Sequence, residues 1–190
     1  MTARRAAFLD RDGVINIDGG YVHRWEDFVF VPGAVDAMRR LHDAGFALVV
    51  VTNQSGIARG YYDEAALERL HQALHDSLGG QGVPLAAIEY CPHLPDAAVA
   101  RYALACDCRK PQPGMILRAA ARLGLDLPAS VMFGDKVSDL RAARAAGVGR
   151  YALLATNGVG EADALPDDLP GATCWRGLPD AVDALLASCA

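Results

Sequence analysis

Apolar and polar residues alternate in blocks along the chain, and the blocks follow two patterns. The continuous apolar run at 46–51 is short and rich in β-branched residues, which predicts a strand buried on both faces. Elsewhere apolar residues recur at helical spacing, as Val35, Met38 and Leu41 do before Gly45. Together these patterns predict strands at 5–9, 46–51, 88–90, 131–133 and 151–155, and helices at 33–44, 63–78, 113–123, 138–146 and 179–187.

Strands and helices alternate throughout the predicted order. This alternation is typical of an α/β fold, in which right-handed crossovers place helices on both faces of a parallel sheet. The 190 residues suit one domain, and we expect residues 1–190 to form it. Ligands of such folds bind beyond the carboxyl ends of the strands, so residues that directly follow a strand are the first candidates for function.

Composition narrows the class of protein. Apolar residues make up 52% of the chain and charged residues 22%, so a disordered or coiled-coil protein is excluded. The apolar runs are too short for a transmembrane helix, and the first residues lack a signal-peptide core, which predicts a cytosolic protein. A net charge of −5 disfavours nucleic acid or an anionic membrane as the main partner but leaves a small anionic substrate possible. No exposed apolar stripe demands a dimer, and we expect a monomer.

Carboxylates follow two of the predicted strands. Asp10 and Asp12 are two residues apart, so they point to one side of an extended chain, where a cation such as Mg²⁺ would relieve their repulsion. A solvated turn is the plainer alternative. Asp135 follows another strand and is a further candidate magnesium ligand. Asp139, at the start of the next helix, we expect to cap that helix rather than to bind metal.

Two further residues suit a phosphate site. Thr52 ends the buried strand, where its hydroxyl and the following backbone N–H groups can hold phosphate oxygens. Lys110 precedes a helix, and its ammonium can neutralise a phosphate oxygen. Taken singly, each has an ordinary alternative, a polar turn for Thr52 and solvated surface for Lys110.

Cysteines crowd into one short segment. Cys91 and His93 form one pair and Cys106 and Cys108 another, which gives the Cys₃His set of a closed, structural zinc site. Cysteines of a reducing compartment favour such a site over disulfides, although four unrelated buried side chains are the alternative. We expect residues 91–108 to form a zinc-binding loop. The remaining cysteines, Cys174 and Cys189, we expect to be free thiols.

The order of these motifs along the chain resembles that of the haloacid dehalogenase (HAD) superfamily of phosphohydrolases. The resemblance implies a Rossmann-like core and a Mg²⁺-dependent mechanism in which Asp10 attacks phosphorus and becomes an aspartyl-phosphate. It implies that Asp12 first protonates the leaving alcohol and later deprotonates water, while Thr52 and Lys110 hold the phosphoryl oxygens. Carboxylates of Asp10 and Asp135 and the backbone carbonyl of Asp12 would hold the metal. The inserts at 13–32 and 92–110 are too short for a large cap domain.

The segment from Cys91 to Pro111 also resembles a zinc-containing branch with two families, the heptose-bisphosphate phosphatases and the histidinol phosphatases. The stretches 10–16, 20–23, 52–60 and 109–115 resemble the first, which implies removal of the C7 phosphate during synthesis of nucleotide-activated heptose for lipopolysaccharide. Histidinol phosphate is the alternative substrate, and a catalytically inactive, zinc-stapled binding module is a third possibility. For a sugar bisphosphate, the resemblance implies a substrate pocket formed by Asp18, Gly19, Gly20, Tyr21, Thr52, Asn53, Gln54, Ser55, Arg109, Lys110 and Lys136, with Arg59 as a candidate for the second phosphate.

Overall fold

The computed structural model describes residues 4–155 and 165–188. Strands and helices alternate over most of this length, as the hydrophobic pattern predicts. The strands are β1 (Arg4–Leu9), β2 (Ala47–Asn53), β3 (Leu85–Cys91), β4 (Leu125–Gly134), β5 (Arg150–Leu154) and β6 (Thr173–Trp175). The α-helices are α1 (Ala34–Asp43), α2 (Glu64–Gly80), α3 (Gly114–Leu123), α4 (Val137–Ala146) and α5 (Leu178–Ala187), with short 3-10 turns at Trp25–Asp27 and Ala100–Tyr102.

All six strands are parallel and lie in the order β3-β2-β1-β4-β5-β6. The direction in which strands are added reverses at β1. The chain first adds β2 and β3 on one side of β1 and then adds β4 on the other side. Loops that leave the strands at such a reversal diverge and open a crevice at the carboxyl edge of the sheet. The predicted α/β class is therefore confirmed, and the crevice lies beside the end of β1.

Alternate residues of β1 face opposite sides of the sheet, and both sides are buried. Ala7 and Leu9 pack with α1 and α5, whereas Ala6 and Phe8 pack with α3 and α4. All four side chains have no exposed surface. This double burial explains why β1 reads as a continuous apolar run, and it gives the residues that follow β1 a rigid base.

The predicted elements differ from the structure mainly at their ends. The strands at 88–90 and 131–133 are longer than predicted, because β3 and β4 begin in segments that include half-buried and, in β4, exposed residues. The edge strand β6 was not predicted, since its three residues carry no distinct alternation. Cys174 lies in β6 as a free thiol, and Cys189 falls outside the described residues. None of the helices described at 4–155 and 165–188 is long and apolar enough to cross a membrane.

Candidate active site and metal centres

Three carboxylates converge at the carboxyl edge of the sheet, at its reversal point. Asp10 directly follows β1, and its backbone N–H donates to the carbonyl of Phe133 in β4 at 3.0 Å. Asp135 directly follows β4, and Asp139 lies in the first turn of α4. One oxygen from each carboxylate lies within 4.8 Å of the others. The predicted approach of Asp10 and Asp135 thus agrees with the structure.

Asp139 does more than the sequence pattern predicts. Its Oδ2 accepts a hydrogen bond from the Lys136 backbone N–H at 3.0 Å, which confirms that it caps α4. Its other oxygen, Oδ1, lies 2.6 Å from Nζ of Lys110, and the side chain is buried beside Asp10 and Asp135. The predicted cap is therefore confirmed, and the ion pair with Lys110 is a second contact that the sequence pattern did not indicate. An acidic residue at a helix start looks the same in sequence whether it faces solvent or a site.

Glycine at position 13 allows the backbone to reach the carboxylates. Gly13 has a φ of +87°, a left-handed backbone conformation that residues other than glycine rarely adopt. A Cβ atom built there would collide with the carboxylate of Asp135. The turn after β1 therefore passes directly against Asp135, which brings the backbone of residues 12 and 13 to the same place as the carboxylates.

Burial and repulsion between carboxylates raise the pKa of two of these groups, Asp10 and Asp135. Burial raises the pKa of Asp10 to about 7, with Lys110 opposing the shift and the neighbouring carboxylates adding to it. Burial likewise raises the pKa of Asp135 to about 6. In addition, Oδ1 of Asp135 is buried with no hydrogen-bond donor among the described residues. A divalent cation would satisfy that oxygen and neutralise the cluster, so the donors fit Mg²⁺.

Lys110 is held in the site from several sides. Its Nζ lies 2.9 Å from Oδ1 of Asp10 and donates to the Val51 carbonyl at 2.8 Å, and the residue is only 4% exposed. Its backbone pairs reciprocally with the side chain of Asn53: the Lys110 N–H donates to Oδ1 at 3.1 Å, and Nδ2 donates to the Lys110 carbonyl at 3.2 Å. The acidic partners keep the pKa of Lys110 above its usual range despite burial. Lys110 is therefore a fixed cation, not solvated surface.

Asp12 is not part of the cluster formed by the other three carboxylates, and hydrogen-bond donors hold its side chain. Its Oδ1 accepts from Asn16 Nδ2 at 3.0 Å, and its Oδ2 accepts from Gln54 Nε2 at 2.9 Å. Both oxygens also accept from Nη2 of Arg11 at 3.0 Å. The Asp12 side chain stays 18% exposed toward the crevice, whereas that of Arg11 is fully buried.

Arg11 and His71 are site residues that the sequence pattern did not indicate. Nη1 of Arg11 lies 3.3 Å from Nε2 of His71 in α2. Because a guanidinium can only donate, the imidazole must be neutral and must accept at Nε2. Burial, with help from the charge of Arg11, lowers the pKa of His71 to about 3, which agrees with a neutral ring. The one available signal was an arginine between two candidate aspartates. The position of His71 in a helix pointed only to exposure or packing.

The predicted cysteine and histidine set meets in space. The donor atoms of Cys91, His93, Cys106 and Cys108 all lie within 4.8 Å of one another, and Nδ1 is the imidazole atom that faces the thiols. The Sγ atoms of Cys91 and Cys108 are 3.2 Å apart. Burial raises the pKa of the Cys91 thiol, so a bare thiolate there is unfavourable without a cation. Four sulfur and nitrogen donors with no open position fit a tetrahedral metal such as Zn²⁺.

A cavity of about 600 Å³ opens above the carboxylates. Most residues predicted for substrate line it, and Tyr62, Ser138 and Asp139 join them without having been predicted. Gly19 and Asp135 are not part of the lining, and Arg59 instead lies with its guanidinium 5.9 Å from the ring of Tyr21. The predicted residues in the lining are Asp10, Asp12, Asp18, Gly20, Tyr21, Thr52, Asn53, Gln54, Ser55, Arg109, Lys110 and Lys136.

Cationic side chains line this cavity both at its floor and near its mouth. Lys110 lies on its floor beside Asp10, while Arg109 and Lys136 lie nearer solvent. Nη1 of Arg109 donates to the His93 carbonyl at 3.1 Å, and Nζ of Lys136 lies 3.9 Å from Asp18. Buried carboxylates beside a lysine at the switch point of a parallel α/β sheet indicate an enzyme that acts on anionic groups.

Comparison with known proteins agrees with this class. The family profile described as "Hydrolase: haloacid dehalogenase-like hydrolase" matches residues 4–147, and the chain belongs to this family. Over 151 residues it is 53% identical to the D-glycero-beta-D-manno-heptose-1,7-bisphosphate 7-phosphatase of Photorhabdus laumondii, covering 80% of each chain. Over the same length it is 54% identical to the protein of that name from Escherichia coli K12, covering 80% of this chain and 79% of the relative.

A solved structure resembles the chain over almost its whole length. The D,D-heptose 1,7-bisphosphate phosphatase of B. bronchiseptica, solved with magnesium and phosphate, superposes with a TM-score of 0.79. The match covers 97% of this chain and 99% of that one at 34% sequence identity. The likeness extends beyond the segment that the family profile matches.

Proposed function

We propose that this chain is a phosphatase that removes the C7 phosphate of D-glycero-β-D-manno-heptose 1,7-bisphosphate and leaves the 1-phosphate. The observation that carries the proposal is the cavity. Its floor holds a buried aspartate–lysine pair, Asp10 and Lys110, and its upper part holds Arg109 and Lys136. One anionic group can thus react at the floor while a second is held near the mouth. Relatives at 53–54% identity bear the name of this activity.

In the first step, an oxygen of Asp10 attacks phosphorus at C7 as the bond from phosphorus to the sugar oxygen breaks. The step joins an anion to an anionic group, so positive charge must lie nearby, and Lys110 provides it 2.9 Å from Asp10. Asp12 gives its proton to the departing sugar oxygen, and the sugar leaves as an alcohol. The Thr52 hydroxyl, buried at the end of β2, holds a phosphoryl oxygen in line.

In the second step, water attacks the aspartyl-phosphate. Asp12, now ionised, takes a proton from the water as its oxygen bonds to phosphorus. The bond between phosphorus and the Asp10 oxygen breaks, which releases inorganic phosphate and restores the Asp10 carboxylate. The same group serves as acid and then as base, and its exposure toward the crevice places it where both the sugar oxygen and the water can arrive.

Residues for a magnesium ion are present at the edge of the sheet. We assign it to the carboxylates of Asp10 and Asp135 and to the backbone carbonyl of Asp12, and we add Asp139 to its surroundings. When bound, Mg²⁺ withdraws negative charge from the phosphoryl group and so lowers the barrier to attack by an anion.

We assign zinc to Cys91, His93, Cys106 and Cys108, at about one ion per chain. The Arg109 backbone N–H lies 3.3 Å from Sγ of Cys106, and the next residue is Lys110. A closed site here would tie the loop 91–108 to the end of β3 and would fix both cations above the sheet. The single domain over 1–190, the cytosolic location and the monomeric state stay predictions.

The rate of phosphate release in the presence of Mg²⁺, compared between candidate esters, tests which substrate the protein prefers. We expect the β anomer of heptose 1,7-bisphosphate to be hydrolysed more efficiently than the α anomer, and both far more efficiently than histidinol phosphate. A site that holds a second phosphate should discriminate by a factor of about 10² or more against an ester that lacks it. Faster hydrolysis of histidinol phosphate would contradict the substrate assignment but not the chemistry of Asp10 and Asp12. No turnover of any ester would favour the inactive binding module.

Magnesium affinity should depend on pH. Protons compete with the metal at Asp10 and Asp135, whose pKa values are raised to about 7 and about 6, so affinity should rise from pH 5.5 and level off above about pH 8. Calorimetric titration of chelator-free, magnesium-free protein at four pH values measures this. Zinc content must stay constant across the series as the control. Equal affinity at pH 5.5 and pH 8.5 would show that these carboxyls are not the ligands.

A further inference from the structure

The guanidinium of Arg11 is the hub of a buried polar network around Asp12. It donates from Nε to Asp12 Oδ1 at 3.2 Å and from Nη2 to both oxygens at 3.0 Å. It also donates to the Val22 carbonyl at 2.7 Å and to Gln54 Oε1 at 3.3 Å. Arg11 has no exposed surface. A planar cation used in this way fixes both the place and the plane of the carboxylate it binds.

The network is anchored on helix α2. Nη1 of Arg11 meets Nε2 of His71 at 3.3 Å, and His71 is itself 8% exposed. The ring of His71 packs edge-on against that of Tyr90 in β3, with centroids 5.8 Å apart. The position of the guanidinium is thus determined by a rigid helix and a rigid strand as well as by Asp12.

A second arm of the network orients Gln54. The Tyr62 hydroxyl donates to Gln54 Oε1 at 2.6 Å, which leaves the amide nitrogen to donate to Asp12 Oδ2 and to Thr52 Oγ1 at 2.9 and 2.8 Å. Arg11 donates to the same Oε1. Arg11 and Gln54 therefore both hold Asp12, and each of these two side chains is fixed in turn by a further hydrogen bond.

We propose that Arg11 is a positioning residue for Asp12, and that His71 holds Arg11 in place for this task. This inference rests on the proposed function, in which Asp12 moves the proton in both steps. Arg11 has no exposed surface and does not line the cavity, so it acts on the reaction through the side chains that it holds, Asp12 and Gln54. A carboxylate displaced by about 1 Å can lose about 10²-fold in rate although substrate still binds.

Arg11→Lys keeps the charge but loses the planar fork, so it should misplace Asp12. The first-turnover rate with heptose 1,7-bisphosphate should fall about 100-fold, because an alkyl oxygen must receive a proton to leave. The KM for this substrate should stay almost unchanged. With p-nitrophenyl phosphate the leaving group departs as a stable anion. The first burst of p-nitrophenolate should therefore stay within about threefold of the wild type. If the first-turnover rate falls equally with both esters, or if only the KM for the bisphosphate rises, the proposal is overturned.

His71 allows a milder version of the test on the same network. His71→Leu removes the acceptor for Arg11 and should lower kcat for the bisphosphate about 10-fold, as loss of an outer partner typically does. His71→Gln retains an acceptor and should recover most of kcat. His75→Leu is the matched control, since His75 is exposed on the same helix and should leave kcat unchanged. A wild-type rate in His71→Leu, or failure of His71→Gln to recover activity at unchanged melting temperature, would contradict the role of His71.

The two proposals fail separately in these experiments. If the wild type prefers a different alkyl phosphate, the substrate assignment is wrong, and the same comparison of alkyl and aryl esters on that substrate still tests Arg11. Thermal unfolding of every variant identifies any loss of rate that comes from a loss of fold.

Discussion

Asp10→Asn should abolish phosphate release from every ester while the fold survives. An amide oxygen at this position cannot attack phosphorus effectively, and among the residues described at 4–155 and 165–188 no second carboxylate directly follows β1 to replace it. Asp135 and Asp139 lie in the same cluster but are held by the turn after β4 and by α4. The loss in kcat should be on the order of 10⁴-fold or more, as for removal of other enzymatic nucleophiles. Phosphate release at saturating bisphosphate, with Mg²⁺ present, measures it.

The same variant should be at least as stable as the wild type in the absence of metal. The buried Asp10 carboxyl has a pKa raised to about 7, so ionising it costs stability as the pH rises through that value. The asparagine carries no such cost at pH 8, although it loses the ion pair with Lys110. Asp36→Asn is the matched control, because Asp36 is an exposed aspartate of α1. Full activity of Asp10→Asn would disprove the nucleophile assignment.

Much of this site could be predicted because its residues follow strands. Asp10 follows β1, Thr52 lies near the end of β2 and Asp135 follows β4, and the ends of parallel strands share one edge of a sheet. The strands themselves read as apolar runs because both faces of the sheet are covered. In such a fold, local patterns in the sequence therefore imply a meeting of residues far apart in the chain.

The parts that escaped prediction depend on contacts between distant segments. His71 lies on a helix face whose apolar spacing says only that the face is buried, and its partner is 60 residues away. Asp139 satisfies the pattern of a helix cap, and its ion pair with Lys110 depends on where α4 meets the loop after β3. A three-residue edge strand such as β6 forms because β5 offers an open edge beside it. None of these partners can be read from neighbouring residues.

Cys106→Ala should release the zinc and unfold the loop that carries the two cations. Structural zinc contributes on the order of 10 kcal/mol of binding free energy in small sites, and much of this is available to folding. A loss of even about 3 kcal/mol would lower the melting temperature by roughly 6–12 °C in a chain of this size. The zinc content measured after dialysis should fall well below the expected one ion per chain.

The variant should also lose turnover, although none of the four proposed zinc ligands lines the cavity. Arg109 and Lys110 directly follow Cys108, and the backbone N–H of Arg109 lies against Sγ of Cys106. Once the loop is free, Lys110 is still held by Asn53, by the Val51 carbonyl and by its ion pairs. Binding of the second phosphate at Arg109 should therefore weaken first, and KM for the bisphosphate should rise more than kcat falls.

Cys174→Ala provides the matched control for the zinc prediction. Cys174 is also half-buried and free, but it lies in β6, outside the cysteine and histidine cluster. It should keep its zinc, its melting temperature and its KM. If Cys106→Ala behaves in the same way, or if the wild type contains no zinc while Cys91, Cys106 and Cys108 react freely with thiol reagents, the four residues do not form a metal site. The loop would then owe its shape to packing alone.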